Sequence, residues 1–484
     1  MLLTRFADQV RERRDRPLVH LPASGRAVSA VDIWREHQTL ADRLLHAGLE
    51  RGRVLLSAVK NSSACAAILL ACLELDAALL PLDPGATPAE IDRLAAAFGA
   101  SVAIADADEG PAVTRLDGGG RYDGVAVLRL TSGSAGLPKA VMTTEAQLVS
   151  DSEHIVAAMG IRPDDTQIAA IPLSHAYGFS VILVPLLLQG TGCVVRASFV
   201  PQQLAADARL TNARVFPGAP FMFQHLIEHP PEGGWPASLT QLISAGAPLL
   251  PETARGFRER FGVKIHTFYG STETGGITFD GDDGANESGS VGSPLPGVTL
   301  ALRDVDDPCR EPQAGGAGRI LVLSNAVGLG YSESGGRGVE GSNETRCDGF
   351  GDGGFLTSDY GTFDEAGRLV LLGRTSSFVN VAGRKVQPAE VERVLRGMPG
   401  VADVRVVAAA DARRGQQIVA CVVTDRRGPA VTALGVRRFC AARLAAHKVP
   451  RAIVFFDAIP LTARGKTDRE ALDAAVRASL SEHV

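Results

Sequence analysis

The chain has 484 residues, with 49 basic and 54 acidic side chains, a formal net charge of −5, 45% hydrophobic and 21% charged residues. That is a globular balance with material for a large core, and the length calls for two or more domains. Disorder is therefore not the default expectation, and there is no overall electrostatic pull toward nucleic acid or an anionic membrane.

The seven cysteines, Cys65, Cys72, Cys193, Cys309, Cys347, Cys421 and Cys440, are scattered and form no C-x-x-C pair. Free thiols in a reducing compartment are expected, and a zinc site is not. Residues 1–14 mix charge with Leu2, Leu3, Phe6 and Val10 and hold no signal-peptide core. The best apolar run, 181–188, is eight residues long, well short of the ~20 needed to span a bilayer. A cytoplasmic protein without a membrane span is the expectation.

In chain order, residues 29–50 and 61–75 carry helical spacing around a buried strand at 54–59. Strand signals at 77–82 and 102–105 enclose a helix at 89–98, and the Gly-rich stretch 106–123 reads as a loop. A short strand at 125–130 runs into a Gly/Ser loop, and further strands are expected at 168–171, 192–196, 242–245 and 265–269. This alternation predicts an α/β fold with substantial parallel pairing. Residues 332–352, rich in Gly, Ser and Asn, read as a mobile surface loop before a strand at 368–372. The chain then restarts: helix 388–396, strands 404–408 and 418–423, helix 433–444 and strand 453–456. These predict a small α+β domain, so the boundary is set at 1–374 and 375–484.

Five segments carry chemistry. In Thr131-Ser132-Gly133-Ser134-Ala135-Gly136-Leu137-Pro138-Lys139, glycines admit backbone N–H groups, hydroxyls donate and a lysine adds charge, which suits a polyphosphate. It lacks the Walker A spacing, and alone it also fits a plain Gly/Ser turn. Phe268-Tyr269-Gly270-Ser271-Thr272-Glu273-Thr274 brings an aromatic, hydroxyls and a carboxylate to a strand end. Tyr269 is suited to stacking on a base and Glu273 to holding Mg²⁺ through oxygen. Alone, the segment equally fits a buried Tyr beside a solvated Glu. Asp359 and Arg374 end two successive segments and suit a ribose diol or, failing that, a weak surface pair. The remaining two, 383–392 and 460–469, read by themselves as a helix start and an exposed basic loop.

Taken in this order and spacing, the five segments resemble the adenylate-forming superfamily of acyl- and aryl-CoA synthetases, nonribosomal adenylation domains and beetle luciferases. The resemblance runs from about Thr4 to Leu472. It implies that Thr131, Ser132, Gly133, Ser134, Gly136 and Lys139 hold ATP phosphates, with Gly246, Ala247 and Pro248 beside adenine. Tyr269 and Gly270 match the base-stacking segment, Thr272 a phosphate contact, Glu273 the Mg²⁺ ligand, and Asp359 and Arg374 the ribose pair. Lys466 matches the lysine of a mobile C-terminal domain that bridges acid and α-phosphate, and His175 a residue near the acyl carboxylate. His175 also fits a satisfied core histidine. Gly383, Arg384 and Lys385 match a loop that guides a thiol after the small domain rotates about a hinge at Ser376. Ala135 stands where the family usually has Thr, Ala140 and Ser358 where it has Gly, and Ser376 where it has Asp or Lys.

Amino-acid-activating relatives place an Asp in the region matching 175–180, and none stands here. Tyr177, Phe179, Gly218 and Phe221 would wall an apolar pocket, which suits an acyl or aryl acid. The thiol is expected to be a separate molecule, with CoA ahead of the phosphopantetheine of a carrier protein. A stand-alone acyl-AMP ligase and a non-catalytic adenylate-binding relative are the alternatives.

Overall fold

The computed structural model describes residues 1–107, 110–131, 139–196, 198–282, 289–313, 315–332, 349–351, 353–375, 378–381, 384–411, 415–425, 428–461 and 467–481. The chain divides into two compact units. One comprises Met1–Ala301, Leu321–Leu356 and Phe363–Val370; the other comprises Leu302–Ile320, Thr357–Thr362 and Leu371–Val484.

The larger unit contains two twisted sheets with helices on their faces. One has seven strands in the order Gly330–Ser332, Ala140–Thr143, Val127–Leu130, Ala78–Pro81, Val54–Ala58, Val102–Ala105, Ala112–Arg115. Its four central strands run parallel and its outer strands antiparallel. Both faces are buried, as parallel sheets require. Leu55, Leu79, Val102 and Val127 point into one core. Their alternates Val54, Leu56, Leu80 and Leu128 pack with Leu94 and Phe98 in another.

The second sheet has nine strands. Five of them, Val215–Gly218, Gln241–Ser244, Ile265–Ser271, Thr166–Ala169 and Gly192–Val195, form a parallel array with Pro17–Leu21. Antiparallel strands close both edges. Ile168, Val194, Phe216 and Leu242 of this sheet share a core with Leu55 and Val127 of the first.

Helix Glu145–Met159 starts at a capping box. The Thr144 hydroxyl accepts from Gln147 N, and the Gln147 side chain accepts from Thr144 N. Capping satisfies backbone donors that the first turn leaves without helical partners. The Gln147 amide also donates to Val327 O at 2.6 Å, so the cap fixes the helix against the 324–332 segment.

In the smaller unit, Gly415–Thr424 pairs antiparallel with Val401–Asp411 and parallel with Ala452–Phe456. Ile418, Ala420 and Val422 pack on one face with Val391 and Leu395 of helix Pro388–Arg396. Val419 and Cys421 pack on the other with Leu472 and Val476 of helix Arg469–Ser481. The strict alternation follows from the two-residue period of a strand. The α/β class read from the sequence is the observed one, with a large unit and a small one.

Two expectations need correction. The stretch 106–123 is not all loop, because Ala112–Arg115 adds an edge strand to Val102–Ala105. Its residues are mostly exposed, so backbone pairing holds it rather than an apolar face. Cys65, Cys72, Cys193, Cys421 and Cys440 are free, but Cys309 is disulfide-bonded. Pairing depends on Cα atoms approaching within about 4.4–6.8 Å, which spacing along a chain does not reveal. Among the described residues, no helix is long and apolar enough to cross a membrane.

Candidate active site

The ends of the phosphate-type loop are clamped together. Leu130 pairs with Ala140 across two antiparallel strands. Beyond them Thr131 N and the Thr131 hydroxyl both donate to Lys139 O, at 3.1 and 3.3 Å. Ser132, Gly133, Ser134 and Gly136 lie outside the described residues. The Lys139 ammonium sits 5.7 Å from the ring centroid of Tyr331. The Tyr331 hydroxyl in turn donates to Glu273 Oε1 at 2.7 Å. Burial and then the Glu273 charge push the Tyr331 phenol above its ordinary pKa, so it stays protonated and remains a donor. Lys139, Tyr331 and Glu273 therefore form one cluster, although three separate segments supply them.

Glu273 owes its place to a tight hairpin. Strands Ile265–Ser271 and Gly275–Phe279 pair antiparallel, and Thr272, Glu273 and Thr274 make the turn. The Ser271 hydroxyl accepts from Thr274 N at 3.2 Å, and Gly275 takes φ +72°, the left-handed region that suits glycine. Tyr269 and Gly270 lie on the strand leading into this turn.

The parallel strands bring other expected residues to a single edge. Gly218 is in register with Ser244, and Ser244 with Thr267. Gly218, the Gly246-Ala247-Pro248 turn and Tyr269 therefore emerge side by side at the carboxyl ends, where open α/β sheets place ligands. Gly246 has φ +83° and open space where a side chain would stand.

His175 is not a core residue: its side chain is 48% exposed, with Nε2 3.3 Å from Asp83 Oδ2. It stands at the N-cap position of the short helix Ala176–Gly178 without a side-chain capping bond. Tyr177 donates to Ile243 O at 3.0 Å, and its ring lies 5.9 Å from that of Phe268. Phe179 is in the core at 2% exposure, while Phe221 is 55% exposed.

Within the smaller unit, Arg374 Nε donates to Asp359 Oδ1 at 2.8 Å. Asp359 is buried and Arg374 largely exposed, an acid and base already joined as a ribose clamp would need. Arg384 and Lys385 stand on strand Arg384–Val386, whose partner is Val379–Val381. Ser376, Gly383 and Lys466 lie outside the described residues. The residues flanking Lys466 are tied by an antiparallel bridge, Leu461 to Thr467.

Other site-shaping residues escape a reading of motifs. Asn61 donates to Ile171 O at 2.9 Å and accepts from Leu173 N at 2.8 Å, holding the segment that leads to His175. Asp151 is buried to 1% exposure. It accepts from the Ser180 hydroxyl at 2.6 Å and from Gly276 N at 2.8 Å. Arg129, 5% exposed and two residues before Thr131, places Nη1 3.8 Å from Asp151 Oδ2. Its guanidinium also lies 5.9 Å from the Phe179 ring centroid. Burial pushes the Arg129 pKa down, and Asp151 pulls it back up. One carboxylate thus joins the strand of the phosphate-type loop, the His175 segment and the Glu273 hairpin.

The model of the AMP-binding enzyme family matches residues 6–119 and 120–332, and that of the AMP-binding enzyme C-terminal domain matches 390–466. A feruloyl-CoA synthase from Amycolatopsis sp is 28% identical over 485 residues, covering 94% of this chain and 96% of that protein. A probable CoA ligase from Humulus lupulus is 30% identical over 71% of this chain, a match spanning 65% of its own length. Among solved structures, ATP-bound MatB from Rhodopseudomonas palustris superposes with a TM-score of 0.81 at 25% identity, covering 97% of both chains. The amide bond synthetase McbA from Marinactinospora thermotolerans also gives 0.81 at 25% identity, covering 98% of this chain and 99% of its own. By these matches the chain belongs to the AMP-binding enzyme family and is a ligase of the acyl-CoA synthetase kind.

Proposed function

We propose that the protein uses ATP to convert an acyl or aryl carboxylic acid, not an α-amino acid, into its acyl-adenylate, and then transfers the acyl group to CoA. The observation that carries this reading is the Lys139–Tyr331–Glu273 cluster beside the carboxyl ends of the parallel strands. It sets a cation and an oriented carboxylate at the end of a Gly/Ser loop, as handling of a polyphosphate requires.

Carboxylate attack on the α-phosphate brings two anions together, so the barrier is largely electrostatic. Lys139 offsets phosphate charge, the Thr131 hydroxyl turns from Lys139 O to donate to a phosphate oxygen, and Thr272 donates to another. Tyr269 stacks on the base beside the Gly246 turn, and Asp359 with Arg374 holds the ribose. Lys466 bridges the acid and the α-phosphate. His175, oriented by Asp83, lies near the acyl carboxylate. Glu273 fits Mg²⁺: it is a hard oxygen donor, Tyr331 fixes Oε1, and Oε2 has no partner among the described residues. When bound, Mg²⁺ supplies charge screening on the polyphosphate. Glu273→Gln is expected to weaken adenylate formation, because a neutral amide ligates a hard cation poorly. The Mg²⁺ dependence of pyrophosphate release checks this, and an unchanged metal requirement would refute the assignment.

The apolar setting of Tyr177 and the absence of an acid at 175–180 favour an acid without an α-amino group. The domain boundary of the reaction cycle lies at 374/375, with a pivot at Thr375 to Ser377, although residues 302–320, 357–362 and 371–374 cluster with the smaller unit. Ser376→Pro would fix φ near −65° and remove an N–H. It is expected to spare one half-reaction and slow the other, as for hinge residues. Separate assays of adenylate and thioester formation check this, and two wild-type rates would place the pivot elsewhere.

The reaction itself is tested with a panel of acids, following AMP release from ATP with and without CoA. Thioester formation with CoA is expected. Adenylate that accumulates with CoA and discharges only onto a holo carrier protein would favour the stand-alone acyl-AMP ligase. Discharge onto an amine, the chemistry named for McbA, would reassign the acceptor. Silence with every acid would favour a non-catalytic adenylate binder.

A further inference from the structure

We propose that His225, Glu228 and His229 form a binding site for a transition-metal cation of the Zn²⁺ class, separate from the Mg²⁺ position at Glu273. The three residues occupy the last turn of helix Pro220–Glu228, with His229 as its C-cap. Positions i, i+3 and i+4 share one face of a helix. The two imidazole rings accordingly lie with centroids 4.4 Å apart. One ligand atom from each of the three residues lies within 4.8 Å of the others. Ligand atoms around tetrahedral zinc stand about 3.4 Å apart, given metal–ligand bonds of about 2.0–2.2 Å. Glu228 and His229 are exposed, so small side-chain rotations close that gap without moving backbone.

The surroundings favour a cation and fix its ligands. The site sits at a helix C-terminus, the negative end of the macrodipole. The Gln224 amide donates to Glu228 Oε1 at 2.8 Å, an outer contact of the sort that orients a ligating carboxylate. The Phe199 ring meets the His225 ring edge-on at 6.1 Å and holds it in place. Two imidazoles and one carboxylate select Zn²⁺, Ni²⁺ or Cu²⁺ over Mg²⁺ or Ca²⁺. His225 and Glu228 also line an open surface groove of about 450 Å³ with Phe199, Phe221 and Gln224. Three protein ligands leave a fourth position for water on the groove side. Metal binding would pin the last turn of a helix whose first turn carries Phe221.

The test uses the full chain without a polyhistidine tag, stripped of metal and titrated with Zn²⁺ by calorimetry. One saturable equivalent is expected, unaffected by millimolar Mg²⁺ and by Glu273→Gln. His225→Ala with His229→Ala should abolish it, and Gln224→Ala should weaken it about tenfold. His229→Ala alone, at an exposed position, serves as the variant whose fold is not at risk and should also lose the site. Absence of a saturable equivalent, or a folded His229→Ala chain that binds Zn²⁺ as wild type does, would overturn the proposal. The latter result would move the metal to other ligands.

Discussion

Replacing Lys466 by Ala is expected to slow acyl-adenylate formation by at least about a hundredfold, the usual cost of removing one group that stabilises transition-state charge. Thiolysis of pre-made acyl-adenylate should be much less affected. The asymmetry follows from chemistry: only the first half-reaction drives one anion onto another. The lysine stands in an Arg-Gly-Lys stretch, and the described residues on either side, Leu461 and Thr467, pair in an antiparallel bridge. Truncating the side chain should therefore leave the fold unchanged. Pyrophosphate release and thioester formation from supplied adenylate, measured side by side, check this. Equal loss of both would remove the role assigned to Lys466.

The second large effect is expected at Arg129 and Asp151. Asp151→Ala leaves the buried Arg129 charge without its carboxylate and leaves Ser180 and Gly276 N without their acceptor. Breaking a buried pair by removing one partner typically costs about 3–5 kcal/mol. A fall in unfolding free energy of that size is expected, together with a raised KM for ATP, since the carboxylate joins three segments of the site. Arg129→Met combined with Asp151→Asn removes both charges and keeps an acceptor for Gly276 N. The double variant should be more stable than Asp151→Ala. Denaturant unfolding and steady-state kinetics on Arg129→Met, Asp151→Asn and their combination, beside Asp151→Ala, check the coupling. Additive effects would mean that the two residues act independently.

The regular elements were legible because burial imposes their periods. Helix Pro388–Arg396 and strand Val102–Ala105 lie where apolar spacing places them. The edge strand Ala112–Arg115 was not legible, since a strand held by backbone pairing on one side needs no apolar alternation. Motif spacing pointed to Lys139 and Glu273, but not to Tyr331, which joins them from nearly sixty residues beyond Glu273. Asp151, which no motif marks, is buried on helix Glu145–Met159 and bonded to Ser180 and Gly276 N of two other segments. Phe179 belongs to the same class of surprise. Its aromatic side chain suggested a pocket wall, and the fold places it in the core beneath the Arg129 guanidinium. Contacts made across long sequence separation leave no local pattern, whereas turn chemistry and strand alternation do.

If the acid's carboxylate attacks the α-phosphate of ATP, one of its oxygens ends in AMP. An acid labelled with ¹⁸O in both carboxylate oxygens tests it most directly, with the released nucleotide analysed by mass spectrometry after turnover with CoA. AMP carrying one ¹⁸O, left behind when the thiol takes the acyl group, is the expected result. Unlabelled AMP, or release of ADP with the label in inorganic phosphate, would contradict it.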